Sequence, residues 1–233
     1  MVTPKSNRGI YVALIIIALW FGVLTWALQQ PVNSRALITY LLIAILTHLY
    51  TGLFITAHDA MHGTVAKNSR INHFIGHLSA LLFSYNFYNR LFPKHHLHHR
   101  HVATDQDPDY HRGGFLAWYF SFLRQYISWQ QIVLMAISFN VLKLWIPADR
   151  LIVYWMLPAV LSTLQLFYFG TYLPHRGEHA PENPHKSGSQ RLNHVWAFIS
   201  CYFFGYHYEH HASPGTPWWM LWKVKENYAA RQK

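Results

Sequence analysis

His95-His96-Leu97-His98-His99 and His207-Tyr208-Glu209-His210-His211 carry one pattern, with histidines at i, i+3 and i+4. On a helix that spacing puts three imidazoles on one face, which makes half of a metal site. With 18 His in 233 residues, chance supplies the pattern only about 0.1 times in such a chain, so two copies are not motif noise. A third pair, His58 and His62, lies at i, i+4 directly after a long apolar run. Neutral imidazole is the common nitrogen donor for Fe, Cu, Ni and Zn. The three motifs overfill a single ion with its roughly four to six positions, so they imply two metal ions. Carboxylate di-iron bundles alternate Glu with Glu-x-x-His. This chain has nine acidic residues and one such match, Glu182 to His185, interrupted by Pro184. The expected site is therefore nitrogen-rich.

Hydrophobic residues make up 52% of the chain and charged residues 12%, against about 25% charged in soluble domains. The chain reads as one integral-membrane domain, residues 1–233. Residues 10–28 and 36–57 carry no charge, and each is long enough to cross a roughly 30 Å hydrocarbon layer. A short turn at residues 29–33 joins them. Residues 129–146, which include Lys143, and residues 151–173 form a second expected hairpin around residues 147–150. The reading is thus four transmembrane helices in two hairpins, with residues 74–91, 115–127 and 192–206 on or dipping into the interface. The first run exceeds a signal-peptide core and lacks a small-residue cleavage site, which predicts a retained anchor. His48, an ionisable group inside a span, is expected as a neutral imidazole bonded to a neighbouring helix, with a functional role as the alternative.

Lys5 and Arg8 precede the first span, Arg35 stands alone in the first hairpin loop, and Asp149 with Arg150 marks the second. Nearly all other Lys and Arg fall within residues 67–124 and 176–233, the segments that hold the histidines. The positive-inside rule then puts both termini and every histidine cluster on the cytoplasmic side. The net charge of +10 is read as topology plus contact with anionic membrane lipids. Nucleic acid is excluded as a partner because no recognition motif accompanies the charge. The single cysteine, Cys201, rules out an intrachain disulfide or a cysteine-based metal site and is expected as a buried filler. There is no Gly-rich dinucleotide fingerprint and no phosphate loop, so reducing equivalents must come from another protein. A basic cytoplasmic face suits a small acidic donor such as ferredoxin. Residues 177–190, rich in Pro, Gly and polar side chains, form the expected exposed loop and a candidate lid.

One H-x(3,4)-H box and two H-x(2,3)-H-H boxes around two hairpins resemble the membrane fatty-acid desaturase/hydroxylase superfamily. After the second box, Arg100-His101-Val102-Ala103-Thr104-Asp105-Gln106-Asp107-Pro108 is similar to the acyl-desaturase continuation H-H-x5-D-x-D-P. That sets the register at His95, His98 and His99 and leaves His96 off the ligand face. The strings His58-Asp59-Ala60-Met61-His62-Gly63, Asp107-Pro108-Asp109-Tyr110, residues 170–176 and residues 210–219 look most like bacterial and cyanobacterial β-carotene ketolases. The likeness runs from about the second span to Trp222. It implies an all-α, desaturase-like membrane fold with a cytoplasmic histidine-rich cap holding two irons. It also implies O2 as co-substrate, an external electron donor and attack on unactivated C–H bonds. For ketolases the implied reaction takes β-carotene to echinenone and canthaxanthin, by two hydroxylations at C4 of the β-ionone ring and loss of water. Acyl desaturases of the superfamily use one more His, four residues after an Asn on the last span. Here Thr171 stands in the Asn's place, and the resemblance makes His175 the ninth ligand.

The expected metal ligands and catalytic residues are His58, His62, His95, His98, His99, His175, His207, His210 and His211. Asp59 and Asp109 are expected as carboxylates that orient imidazole N–H groups. Asp105 and Asp107 read equally as a local ion-pair network with Arg100 and Arg112. His101 and His179 are alternative ligands, and His73 and His77 read as packing or hydrogen-bonding residues. Phe83, Tyr85, Phe87, Tyr88, Phe115, Trp118, Tyr119 and Phe120 are candidates to line a polyene tunnel, and Trp218 and Trp219 read as interfacial anchors. Rival enzymes are a carotenoid hydroxylase and an acyl-lipid desaturase. A different class is a His-rich metal transporter or a membrane haem protein. A transporter would set its ligands near the midplane of its spans, whereas all but His48 lie outside the long apolar runs. A haem would leave most of the histidines unexplained.

Overall fold

The computed structural model describes residues 6–231, and these form helices with no strand among them. Lys5 and Lys233, used in the charge pattern, lie outside the described residues. Three helices are long and apolar enough to cross a membrane: α1 (Arg8–Ala27), α2 (Leu37–Met61) and α7 (Ala148–His175). They follow from the apolar runs read in the sequence. Between them come α3 (Ser69–Leu82), α4 (Tyr88–Arg100), α5 (Phe115–Tyr126) and α6 (Trp129–Leu142). After α7 follow α8 (His194–Cys201), α9 (His207–Ala212) and α10 (Leu221–Arg231).

The first arm of the second hairpin is shorter than its apolar stretch. A capping box of Ser128 and Gln131 starts α6, and the helix ends at Leu142, 14 residues on. At 1.5 Å per residue that covers about 21 Å, short of the hydrocarbon layer. Past Lys143 the chain unwinds into turns, with Leu144 N–H bonded to Val141 and Trp145 N–H to Leu142, before Pro147. The stretch 74–91 is not one helix. It is split between α3 and α4, because Ser84 and Tyr85 take left-handed conformations (φ 53° and 57°) that no helix continues through.

Helix α2 organises the molecule, packing against α1, α3 and α7. Its buried stripe includes Leu42, Leu46, Leu49 and Leu53, packed with Trp20 of α1 and Leu166 of α7 in one core. A polar bracket crosses this packing: Thr51 donates to Gln165 Oε1 (2.6 Å), and Gln165 Nε2 donates to the Ser200 carbonyl (2.7 Å). Polar side chains satisfied between helices in this way join them where apolar burial alone gives little direction. His48 does not bond to a neighbouring helix. It stacks on Tyr202, centroids 4.2 Å apart, and its Nε2 is buried with no partner among the described residues. Cys201 is buried and free, as expected of a filler.

Two local devices set the ends of the long helices. Helix α2 runs past the apolar stretch and stops at a Schellman motif: Gly63 (φ 70°) takes the left-handed position, its N–H bonds to the Ala60 carbonyl, and Thr64 N–H bonds to the Asp59 carbonyl (both 3.1 Å). His58 and His62 therefore sit on the last turn, fixed by a glycine that no other residue replaces without strain. Helix α7 widens into π-helical turns at Leu151–Met156 and Tyr168–Tyr172, just before Pro158 and Pro174. A proline ring clashes with the carbonyl four residues back, and the wider turn accommodates the ring without ending the helix.

Close approach of α3 to α2 gives a test. A Cβ at Gly76 would lie 2.5 Å from Tyr88 Cε2 and 2.9 Å from Ala60 Cβ, whereas one at Gly22 meets nothing within 4 Å. Gly76→Val should destabilise the protein by about 1–3 kcal/mol through overpacking, seen as a lower melting temperature in detergent. Gly22→Ala should be neutral or stabilising by up to about 1 kcal/mol.

Candidate metal centre

All nine predicted histidines converge, and they do so in two groups. His58, His62, His95, His99 and His210 form one; His98, His175, His207 and His211 form the other. Within each group one nitrogen from every ring lies within 4.8 Å of the rest. The sequence left the partition open, and neither box stays whole. His95 and His99 go to the first group while His98 goes to the second; His210 joins the first while His207 and His211 join the second.

The donor spacing fits metal ions. His95 Nε2 lies 2.6 Å from His62 Nε2, His99 Nε2 is 3.0 Å from His210 Nε2, and His211 Nε2 is 3.0 Å from His207 Nε2 and 3.1 Å from His98 Nε2. Two nitrogens each about 2.1 Å from one ion, at right angles, stand about 3 Å apart. His58 Nε2 and His175 Nε2 are buried with no hydrogen-bond partner among the described residues, a costly condition unless a ligand claims them. Burial, then the charge of neighbouring imidazoles, pushes His95, His207, His210 and His211 well below the usual histidine value. By the same causes His62 falls to about 3 and His99 to about 2. Neutral imidazole is the ligating form.

Asp107 is the residue whose role the sequence did not resolve. It does not belong to the ion-pair network: Asp105 pairs with Arg112 at the surface (2.9 Å), and Arg100 bonds instead to the His96 carbonyl (3.2 Å). Asp107 is buried, and its two oxygens lie 2.9 and 3.0 Å from His98 Nδ1. It also accepts the Ala103 and Asp109 N–H groups (both 2.9 Å), so one carboxylate folds the whole post-box loop against the ligand helix. Burial lowers His98, but the Asp107 hydrogen bond and the charges of Asp109 and Asp107 more than offset it, leaving His98 raised. The contact fixes Nδ1–H toward Asp107 and aims Nε2 at His211. Asp109 stands farther off, 3.9 Å from His98 Nδ1. It accepts from Tyr126 Oη, and burial pushes it up to about 6. Asp59 is 3.5 Å from His58 Nδ1 and accepts the Trp218 N–H (3.0 Å). Trp218 is accordingly buried, not an interfacial anchor.

Further supports lie outside the histidine boxes. The loop expected as a lid is folded onto the site, with His175 Nδ1 on the Lys186 carbonyl (2.8 Å) and Gly188 N–H on the Pro174 carbonyl (2.7 Å). On α9, Glu209 points away from the ligand face; its carboxylate is buried, bonded to Ser189 Oγ (2.6 Å) and Lys225 Nζ (3.1 Å). His96, His101, His179, His73 and His77 belong to neither group; His73 Nδ1 lies 3.2 Å from Tyr88 Oη.

A cleft reaches the centre between α2, α4, α5 and α7. Phe54, Leu91, Phe122, Leu166 and Phe204 wall it, and His58, His95, His98 and His207 border it. None of the eight aromatic residues proposed from sequence lines it. Tyr88, Phe115, Trp118, Tyr119 and Phe120 lie on helices that do line it, α4 and α5, but composition does not say which face of a short helix turns inward.

Residues 34–129 and 119–232 match the sequence profile described as Fatty acid desaturase. The chain is 38% identical over 226 residues to a β-carotene ketolase of Paracoccus sp. (strain PC1), covering 94% of this chain and 92% of that protein. A β-carotene ketolase of Paracoccus sp. (strain N81106 / MBIC 01143) is 40% identical over 216 residues, 91% of this chain and 86% of that one. A zeaxanthin 4-ketolase of Chlamydomonas reinhardtii is 38% identical over 243 residues, 96% of this chain and 54% of that protein.

Asp107→Asn should weaken metal retention by about 10–100-fold, since orienting carboxylates carry that much of a site's affinity, while the exposed Asp105→Asn leaves it unchanged; metal content after dialysis against a graded chelator reads both. Lys225→Ala leaves Glu209 buried without its cation and should cost on the order of 3 kcal/mol, a drop in thermal stability that Lys225→Arg largely avoids.

Proposed function

Because the chain belongs to the fatty acid desaturase family, we propose that it is an oxygenase acting as a β-carotene 4-ketolase. It would convert β-carotene to echinenone and canthaxanthin. The observation that carries this reading is the apolar, aromatic-walled cleft ending on two groups of buried and half-buried histidines, in a chain 36–40% identical to proteins named as carotenoid ketolases over most of its length. In the proposal His58, His62, His95, His99 and His210 hold one iron and His98, His175, His207 and His211 the other. Two irons bound there would supply O2-dependent oxidation of an unactivated C–H bond.

The chain's own residues do the rest. Phe54, Phe122, Leu166 and Phe204 grip the ring end of a polyene and exclude water around C4. Asp107 holds His98 and the Lys186 carbonyl holds His175, while Asp59 and Asp109 stand near His58 and His98 without a hydrogen bond to them. In net terms each oxidation takes one O2, two electrons and two protons, puts one oxygen on C4 and releases one water; the second leaves a gem-diol that loses water to the ketone. Electrons come from a soluble one-electron carrier such as ferredoxin, docking on the basic face. The topology we propose has α6 as a short fourth span, with both termini and the histidine cap on the cytoplasmic side among anionic lipid headgroups.

Expression in bacteria that accumulate β-carotene should yield echinenone and canthaxanthin, with a red-shifted absorption because each C4 ketone extends the conjugation. Zeaxanthin alone would make the protein a hydroxylase, and new double bonds in membrane acyl chains would make it a desaturase. The purified protein should hold about two irons, and His98→Ala or His210→Ala should insert yet form no product. Turnover with an acidic carrier should fall several-fold from low to high ionic strength, because opposite charges steer that encounter.

A further inference from the structure

Two hydroxyls border the cleft, those of Tyr126 and Thr171. Tyr126 is already bonded to Asp109. Thr171 is buried, 5% exposed, and its hydroxyl has no hydrogen-bond partner among the described residues. Other helical threonines behave differently: Thr47 and Thr56 donate to the carbonyl four residues back, Thr163 to the one three back, and Thr51 to Gln165 Oε1. Thr171 stands in the π-helical turn Tyr168–Tyr172, next to Gly170, which presents no side chain to the cleft. It lies one turn before His175 and shares the cleft with His58, His95, His98 and His207. The other polar groups on the cleft are the imidazoles and the Tyr126–Asp109 pair, which is already bonded to itself, so Thr171 brings the one hydroxyl without a partner among the described residues, and it has nothing to do for an unoxidised hydrocarbon ring. It has a partner once the ring carries oxygen.

Resting on the ketolase reading, we propose that the Thr171 hydroxyl hydrogen-bonds the C4 oxygen of the half-oxidised ring and so retains the alcohol for its second oxidation. An alcohol in an apolar cleft without a partner loses the hydrogen bonds it had in water or at the membrane surface, so it leaves. Bound to Thr171 it stays with its remaining C4–H at the same place, and the second round, with its own O2 and two electrons from the carrier protein, gives the diol and then the ketone. Thr171 thereby sets whether the product is an alcohol or a ketone. It acts on specificity and not on the power to oxidise.

The test compares Thr171→Val, which keeps the shape and removes the hydroxyl, with Thr171→Ser, which keeps the hydroxyl. Both are expressed with β-carotene, and the purified proteins are assayed for iron and for KM toward β-carotene and toward its 4-hydroxy derivative. The expected result for valine is an alcohol-to-ketone ratio raised about tenfold, one hydrogen bond's worth. The KM for the alcohol alone should rise, with iron content unchanged, and serine should restore the parent ratio. An unmoved ratio in the valine variant overturns the proposal. Loss of the first oxidation in both variants, or loss of iron, also overturns it, because packing or metal retention would then be the role. If the parent makes no C4-oxidised carotenoid at all, the ketolase reading itself has failed, a result distinct from a parent that makes ketone while the valine ratio stays put.

Discussion

Two groups of imidazoles, five and four, must each be held with their nitrogens within 4.8 Å of one another inside a protein, and the rest of the structure answers to that demand. Like dipoles crowded in a low-dielectric interior repel, and any charge among them is expensive. Each ring therefore needs a rigid mount. Helix α2 supplies one by ending in a glycine-stopped turn directly under His58 and His62. Asp107 supplies another by tying the loop after the second box back onto His98. The Lys186 carbonyl fixes His175, and the buried Glu209 anchors the six-residue helix of the third box from its opposite face. The donors come from four separate helices, so no single element makes either half of the centre.

What was legible in the sequence was local. The i, i+3, i+4 spacing gave the ligand faces because a helix repeats every 3.6 residues wherever it is placed, and the uncharged runs gave α1, α2 and α7 because hydropathy needs no partner to be read. What failed was tertiary. Asp107 and Asp105 look alike in the chain, two acids near two arginines, and only folding decides that one faces solvent and the other His98. Trp218 looks like an interfacial anchor until its backbone N–H is found on Asp59. The cleft wall was not legible for the same reason. Phe122 and Phe120 share one helix, and the turn between them decides which faces the site. The fourth apolar stretch fell short because Lys143 and Pro147 end α6 early, a boundary that mean hydropathy smooths over.

The proline-associated widening in α7 links the membrane part to the chemistry. Without it, residues after Phe167 would continue the regular helical phase. With five residues in π turns, Gly170 and Thr171 rotate to the cleft while His175 still reaches the second group of donors. One backbone irregularity thus sets both the room beside the ring and the position of a ligand, which is why such bulges tend to mark functional segments.

The third histidine box carries a consequence for how the protein is made. Helix α9 is too short to be stable alone, and it is braced by Lys225 of the last helix. Both groups of donors include residues from this box. While the chain emerges from the ribosome, α1, α2 and α7 are synthesised and can insert long before either donor set is complete. The centre closes only when the C-terminal helix has been synthesised and folds back. A metal ion held by either group would therefore bind only after the third box has folded onto α2, α4 and α7, so its binding and the insertion of the membrane helices would be separate events in time.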